Sequence, residues 1–345
     1  MKFRILGILL VLLVVSACSN KGTATEYSVL YTPRPDEIKL EQEQQKEYTI
    51  AVVPKREGID YFRAVEDGAR EAGREIGVNV IFKGADVADA VKQVRVIREL
   101  IKQEVDVIAV SANDPILLLP VLREADEKGI KVITWDADTN AIGRQFYVNM
   151  VDPETLGRHL MDTLAWNTEE RGEFAIMTGS LNAANSNEWL RWIKTQKEEY
   201  YPEMKLVEIV ATDDNEEKAY HLATKLLVDY PNLVGIIGNS SVGPPTAAQA
   251  VEEAGKSGQV KVVGLSSPNQ MREHFKNGSA QVATLWSPKR LGYLTVILAK
   301  QLLDGDFPYD GQEVDNVGTI RVKGDVIIMG EPLDFNKDNV DQYEF

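Results

Sequence analysis

Cysteine occurs once in the 345 residues, at Cys18, and histidine only three times. A single cysteine excludes an internal disulfide, so the fold has to stand on its core. His159, His221 and His274 fall in helical segments of different units, which argues against a shared metal or general-base site. Enzyme signatures are equally sparse. Neither Gly-x-Gly-x-x-Gly nor Gly-x-Ser-x-Gly occurs. The "GKS" at Gly255–Ser257 has Ala250 where a phosphate loop needs its first glycine, and it follows a helix rather than a strand. Positive charge is also short: 38 Lys and Arg stand against 53 Asp and Glu, a formal charge of −15. Such a surface disfavours nucleic acid and anionic lipid heads as partners. Past the N-terminal segment no apolar run is long enough to cross a membrane. A catalyst, a cofactor and a metal are therefore not expected.

The N-terminus carries a targeting pattern. In "MKFRILGILLVLLVVSACSN", Lys2 and Arg4 precede an apolar run from Ile5 to Val15, then the small residues Ser16 and Ala17 before Cys18. Residues 1–17 read as a leader too short for a comfortable span. The V-S-A-C sequence resembles a lipobox, so Cys18 is expected to carry lipid and tether the chain outside the cytoplasmic membrane. The bland alternative is a plain secretory leader with an incidental cysteine. Loss of the leader removes two cations and leaves a formal −17. Residues 18–47, polar and charged without sustained periodicity, read as a flexible spacer.

From Tyr48 the pattern becomes regular. "YTIAVVP" is a buried strand, and the next segment places Phe62, Val65, Ala69, Ala72 and Ile76 at helical spacing. "VNVIFKG" is a strand, and Val87, Val91, Val94, Ile97 and Ile101 outline the apolar face of a second helix. The rhythm continues through "VDVIAVSA" and "KVITWDAD", then restarts near Asp152 with helices at 153–166, 186–200, 215–229 and 245–254. Strands alternating with long amphipathic helices mean βαβ units on parallel sheets. About eight such units exceed one ordinary sheet, so two lobes are expected, with a boundary near Val148–Asp152. Residues 48–149 plus 288–310 form the first lobe in this reading, and 150–287 plus 311–345 the second lobe and tail.

Ligands of open α/β sheets lie outside the carboxyl ends of the strands. Lys55, Ser111, Asp136 and Asp138 stand at such ends in the first half, and Ser180, Asn239, Ser240 and Trp286 in the second. Ser111, Ser180 and Ser240 serve equally well as helix caps. Asp136 and Asp138 are poor caps, because "TNAIGRQF" downstream lacks a helical face, and binding is the better reading. Lys55 would offset their charge. Tyr61, Phe62, Trp135 and Trp286 offer flat apolar faces next to these groups, either as core or as a platform for the C–H face of a small polyol.

The combination of "IAVVPK", "VIAVSANDP", "KVITWDADT", "PPTAAQAVEEAG", "VVGLSSPNQMREHF", "TLWS" and "FNKDNVDQYEF" resembles the solute-binding proteins of sugar-type ABC importers, in the autoinducer-2-binding LsrB branch and its rhamnose-binding relatives. It covers residue 48 to the C-terminus. The resemblance implies the type I periplasmic binding protein fold: α/β, with two doubly wound, Rossmann-like lobes joined by a three-segment hinge. It implies a monomer that clamps one small sugar-like ligand and presents it to a membrane permease. By position, Lys55 matches the ligand-binding lysine, Asp136 the first-lobe carboxylate, Tyr61 and Phe62 a pair of aromatics, and Trp286 a cleft tryptophan. Pro245 and Ala247 match positions whose backbone faces the ligand. The chain departs from the branch at "NAANSNEW", where Asn185 and Ser186 replace an Asp-Gln pair, and at Ser287, which stands in place of an acid. Asn185, Asn187 and Pro245 are expected to close from the second lobe. A second reading makes the same clamp a sensory module that delivers its closed form to a chemoreceptor or histidine kinase. A sugar-processing enzyme lacks a catalytic constellation, and a transcription factor lacks its DNA-binding head.

Overall fold

The computed structural model describes residues 47–345. The expected leader, Cys18 and the spacer up to residue 46 lie outside the described residues.

The first sheet is built from β1 (Thr49–Val53), β2 (Asn79–Phe82), β3 (Val107–Val110), β4 (Lys131–Trp135) and β5 (Tyr147–Asn149). Helices α1 (Asp60–Ile76), α2 (Ala90–Lys102) and α3 (Leu119–Glu127) connect its first four strands. The chain then enters a second sheet through α4 (Pro153–Asn167), β6 (Gly172–Thr178), α5 (Ala184–Tyr200), β7 (Met204–Ala211), α6 (Glu216–Asp229) and β8 (Leu233–Gly238). It continues through α7 (Gly243–Glu253), β9 (Lys261–Leu265), α8 (Pro268–Lys276) and β10 (Val282–Leu285). Helix α9 (Pro288–Asp304), the small ladder β11 (Glu313–Val314) with β12 (Gly318–Thr319), β13 (Arg321–Lys323), β14 (Val326–Ile328) and β15 (Leu333–Phe335) close the chain.

Strand order is β13-β14-β5-β4-β3-β1-β2 in one sheet and β15-β10-β9-β8-β6-β7 in the other. Pairing is parallel except at the β13–β14 hairpin, at β10–β15 and in the small ladder. Strands such as β1, buried from Ile50 to Val53, show the continuous apolar runs of sheets covered on both faces. Five helix starts are capped by side chains: Asp89, Asp152, Asn215, Ser267 and Ser287 each accept a backbone N–H of the following turn.

Among the described residues the chain passes between the sheets three times: after β5, after β10 and after β14. Helix α9 returns to the first lobe and lies backbone to backbone on α1. A Cβ on Gly68 would stand 1.8 Å from the Lys289 carbonyl oxygen, and one on Gly292 2.0 Å from that of Val65. One expectation is corrected here. The sequence reading places residues 311–345 whole in the second lobe, but Val326–Ile328 pair with Tyr147–Asn149, so β13 and β14 extend the first sheet. Only β15 and the tail that follows belong to the second. Strands β12 and β13 are separated by the single, fully buried Ile320.

The face of α2 also differs from its apolar periodicity. Val87 and Val91 are exposed, whereas Gln93 is fully buried. Its amide donates to the carbonyls of Pro54 (3.0 Å) and Ser111 (2.8 Å), and its oxygen accepts the Asn113 N–H (2.9 Å). A polar side chain is buried here because it satisfies the loops that leave β1 and β3.

Candidate functional site

Parallel sheets bring their carboxyl-terminal loops to one edge, and the two edges face each other. A small cavity there, with about 40 Å³ of free space, is lined by Lys55, Phe62 and Asp136 from the first lobe and by Asn185, Ser186 and Trp286, among others. Lys55 follows β1, Asp136 follows β4, Asn185 and Ser186 open α5, and Trp286 follows β10.

Asp136 is the centre of the polar network. It is 3 % exposed and adopts φ 58°, a left-handed conformation that Asp tolerates better than most residues. Its Oδ2 accepts the Ser111 hydroxyl at 2.6 Å and lies 3.4 Å from Lys55 Nζ. Its Oδ1 accepts from the Tyr61 hydroxyl at 3.2 Å and from Asn185 Nδ2 at 3.4 Å. Lys55 Nζ donates in turn to Asn185 Oδ1 at 3.1 Å. Asn185 thus bridges a cation and an anion of the opposite lobe through one amide. Burial and the Asp136 charge hold the Tyr61 hydroxyl well above its ordinary pKa, so Tyr61 remains a donor.

Aromatic rings enclose this network. Phe62 stands edge-on to Trp135 (centroids 5.9 Å apart) and to Tyr61 (5.1 Å). Trp286 donates its indole N–H to the Tyr61 hydroxyl at 3.1 Å and tilts against Trp189. Trp135 is fully buried, its Nε1 donating to the Ala109 carbonyl, and belongs to the core. The wall is amphipathic, with apolar faces beside charged hydrogen-bonding groups.

Four of the expected residues stand elsewhere. Asp138 is engaged by Arg144, which donates from Nε and Nη2 to its two oxygens at 2.8 Å each, and by Thr134 and the Thr139 N–H. It borders a wider groove that also includes Tyr147, Asn149 and Trp192. Asn187 is exposed, and its amide donates to the Leu181 carbonyl. Pro245 and Ala247 lie within α7, Ala247 fully buried, and neither lines the cavity. The loop before α7 lines it instead, through Asn239, Ser240 and Ser241. Ser180 accepts the Asn182 N–H and serves as a turn residue. Six lining residues stand outside the sequence expectations: Ile59, Trp189, Asp214, Ser241, Leu265 and Leu285. Asp214 follows β7 as Asp136 follows β4, and the strand-end rule applied to "IVATDD" would have found it.

The histidines are dispersed among α4, α6 and α8. Among the described residues no group of three or more His, Cys, Asp or Glu is placed to hold a metal ion, and no helix is long and apolar enough to cross a membrane.

Comparison with known proteins places this geometry in context. A family model described as a periplasmic binding protein domain matches residues 50–306. The D-ribose/D-allose-binding protein of Pseudomonas aeruginosa is 25% identical over 267 residues, covering 75% of this chain and 83% of its own. Among solved structures, LsrB from Clostridium saccharobutylicum in complex with AI-2 superposes with a TM-score of 0.81 at 25% identity, covering 86% of this chain and 100% of that one. An ABC transporter solute-binding protein from Clostridium phytofermentas with bound L-rhamnose gives a TM-score of 0.81 at 28% identity, covering 86% and 98%.

Proposed function

This chain belongs to the periplasmic binding protein family, and from that premise we propose that it is the solute-binding component of an ABC importer that captures one small neutral sugar between its lobes. Family membership implies an extracytoplasmic location. Lipid tethering through Cys18 and delivery to a membrane permease complete the proposal.

The observation that carries it is the Lys55–Asp136–Asn185 network, which joins the two lobes by buried polar bonds beside aromatic faces. A sugar hydroxyl is both donor and acceptor, so it can take the place of the Asn185 amide between Lys55 and Asp136. Phe62 and Trp286 offer apolar surface to the C–H face of the ring. Ser111 and Tyr61 hold the Asp136 carboxylate in place before the ligand arrives, which lowers the cost of ordering it on binding. Closure removes water from these bonds and strengthens them. The ligands named for the relatives, D-ribose, D-allose, L-rhamnose and AI-2, define the panel to examine.

A thermal-shift screen of the protein against that panel, followed by calorimetry, tests the reading. A bound sugar is expected to raise the melting temperature, and Asp136→Asn to weaken its affinity on the order of 30-fold or more. Asn also tolerates the left-handed conformation, so the variant removes charge without new backbone strain. Unchanged affinity in Asp136→Asn takes that residue out of the site. Absence of any shift across the panel overturns the sugar assignment.

A further inference from the structure

The tail that follows β15 reaches the cleft from outside. It makes a helical turn at Val340–Gln342, where Val340 is fully buried, and then runs along α8. Arg272 on α8 donates to the Tyr343 carbonyl at 2.6 Å, and the Asn269 N–H donates to the Phe345 carbonyl at 3.1 Å. The rings of Phe335, Tyr343 and Phe345 meet edge-on, with centroids 4.8, 5.6 and 6.3 Å apart. These contacts fix the half-buried Phe345 to the second lobe. Its other side faces the first lobe. Phe345 lines a small cavity, with about 30 Å³ of free space, together with Asp60 and Tyr61 of α1 and Gln270 of α8. In the same place Gln270 donates to Asp60 at 3.2 Å, which bonds one lobe to the other. Tyr61 and Leu285 line both this cavity and the one around Asp136, so they form the partition between the two.

We propose that Phe345 is a positioning residue for ligand binding: seated behind Tyr61, it holds the Tyr61 hydroxyl on Asp136, seals the cleft on the side of α1 and α8, and so sets how slowly a bound ligand leaves. The inference rests on the cleft being the ligand site. Helix α1 begins at Ile59 without a side-chain cap, so its first turn, which carries Asp60 and Tyr61, depends on contacts from outside the helix. The Tyr61 hydroxyl donates to Asp136 at 3.2 Å and accepts the Trp286 indole N–H at 3.1 Å. Both distances are at the long end of the range, and a small shift of the ring breaks either bond. An apolar ring behind Tyr61 opposes that shift and keeps water from the two bonds, which strengthens them.

Phe345 travels with the second lobe and Tyr61 with the first, so the two meet only when the lobes are together. A ligand enters before that contact is made and leaves only after it is broken. Loss of the contact therefore speeds release and leaves capture unchanged.

Stopped-flow tryptophan fluorescence tests the proposal, because Trp189 and Trp286 line the cavity and respond to its occupancy. D-Ribose, D-allose and L-rhamnose are the probes, and the slope and intercept of the observed rate against sugar concentration give association and dissociation. Phe345→Ala is expected to raise the dissociation rate about fivefold or more while association stays within about twofold of wild type. Phe345→Leu, which keeps apolar bulk, is expected to restore most of the wild-type rate. In a Tyr61→Phe background, which keeps the ring but lacks the hydroxyl, the effect of Phe345→Ala is expected to shrink to less than about twofold. Tyr343→Ala removes a ring of the same cluster that does not line the small cavity, and it is expected to lower the melting temperature without speeding release. Equal acceleration by Tyr343→Ala and Phe345→Ala, or an effect of Phe345→Ala undiminished in Tyr61→Phe, assigns Phe345 a merely structural role and overturns the proposal. Unchanged dissociation in Phe345→Ala also overturns it, and wild-type binding that depends on Asp136 then leaves the sugar-binding reading intact. Failure of the wild type to bind any probe overturns both.

Discussion

Asp136 and Asp138 are two residues apart at the end of one strand, and regular alternation would turn both side chains to the same face. The left-handed backbone at Asp136 breaks that alternation. Asp136 turns into the cleft against Lys55, and Asp138 turns away to form a two-pronged pair with Arg144, a side chain that is 3 % exposed. Asp138→Asn is therefore expected to cost about 1–2 kcal/mol of stability, because Arg144 loses one of its two carboxylate partners while Asp325 remains at 2.6 Å. Sugar affinity should stay within about twofold of wild type, since Asp138 does not line the cavity. Urea unfolding with calorimetry on one preparation separates the two effects. Lys55 and Asp136 are legible as polar residues at strand ends, and Asn185 only through the family resemblance. The fate of Asp138 is not legible, because one backbone angle decides it.

Elements carry a second class of constraint. Helices α1 and α9, more than two hundred residues apart in the chain, approach so closely that Gly68 and Gly292 leave no space for a side chain. Gly68→Ala is expected to destabilise by about 2–3 kcal/mol through overpacking against the Lys289 carbonyl, with the cleft unaffected. Differential scanning calorimetry reads the first effect and sugar titration the second. Strand β15 is held by a different device. Asp334 accepts from Thr284 at 2.7 Å and lies 2.8 Å from His159 Nε2 on α4. The Asp334 hydrogen bond raises the His159 pKa, and the imidazole holds the Asp334 carboxyl below its ordinary value despite burial. The histidine contribution is fully present below its unfolded pKa of about 6.5 and is lost as pH rises through the folded value. The carboxylate contribution is present above about pH 4 and is lost as pH falls through the depressed value. The stability difference between wild type and His159→Gln is thus expected to be larger at about pH 5.5 than at pH 8.5. Equal differences at both values rule out the pair as an anchor for β15. Periodicity indicates helix α1 but not its contact with α9, because a glycine reads as a weak helix residue until its neighbour across the interface is known.

At the scale of the molecule, three chain crossings join the lobes, and polar bonds span the cleft. Lys55 to Asn185, Arg56 to the Asp214 carbonyl and Gln270 to Asp60 each connect the two sides. A ligand that seats between Lys55 and Asp136 takes the place of the Asn185 amide, so its entry is expected to part the lobes and displace these bonds. Saturation with the sugar identified by the screen is expected to leave one compact form in small-angle scattering. At a hundred times the dissociation constant it should add about 2.7 kcal/mol to apparent stability. A scattering profile that indicates a fixed, sugar-independent opening would contradict hinge closure.

The amino-acid pattern by itself determined the α/β class, the division into two repeating halves, most helix positions and the polar residues waiting at strand ends, because each depends on neighbours a few positions away. Tertiary structure alone decided the sheet that receives β13 and β14, the burial of Gln93, the outward turn of Asp138 and the entry of Asp214 into the cleft. Those outcomes depend on which strands pair, how closely helices approach and how a single dihedral is held, and such long-range contacts leave no local periodicity in the chain.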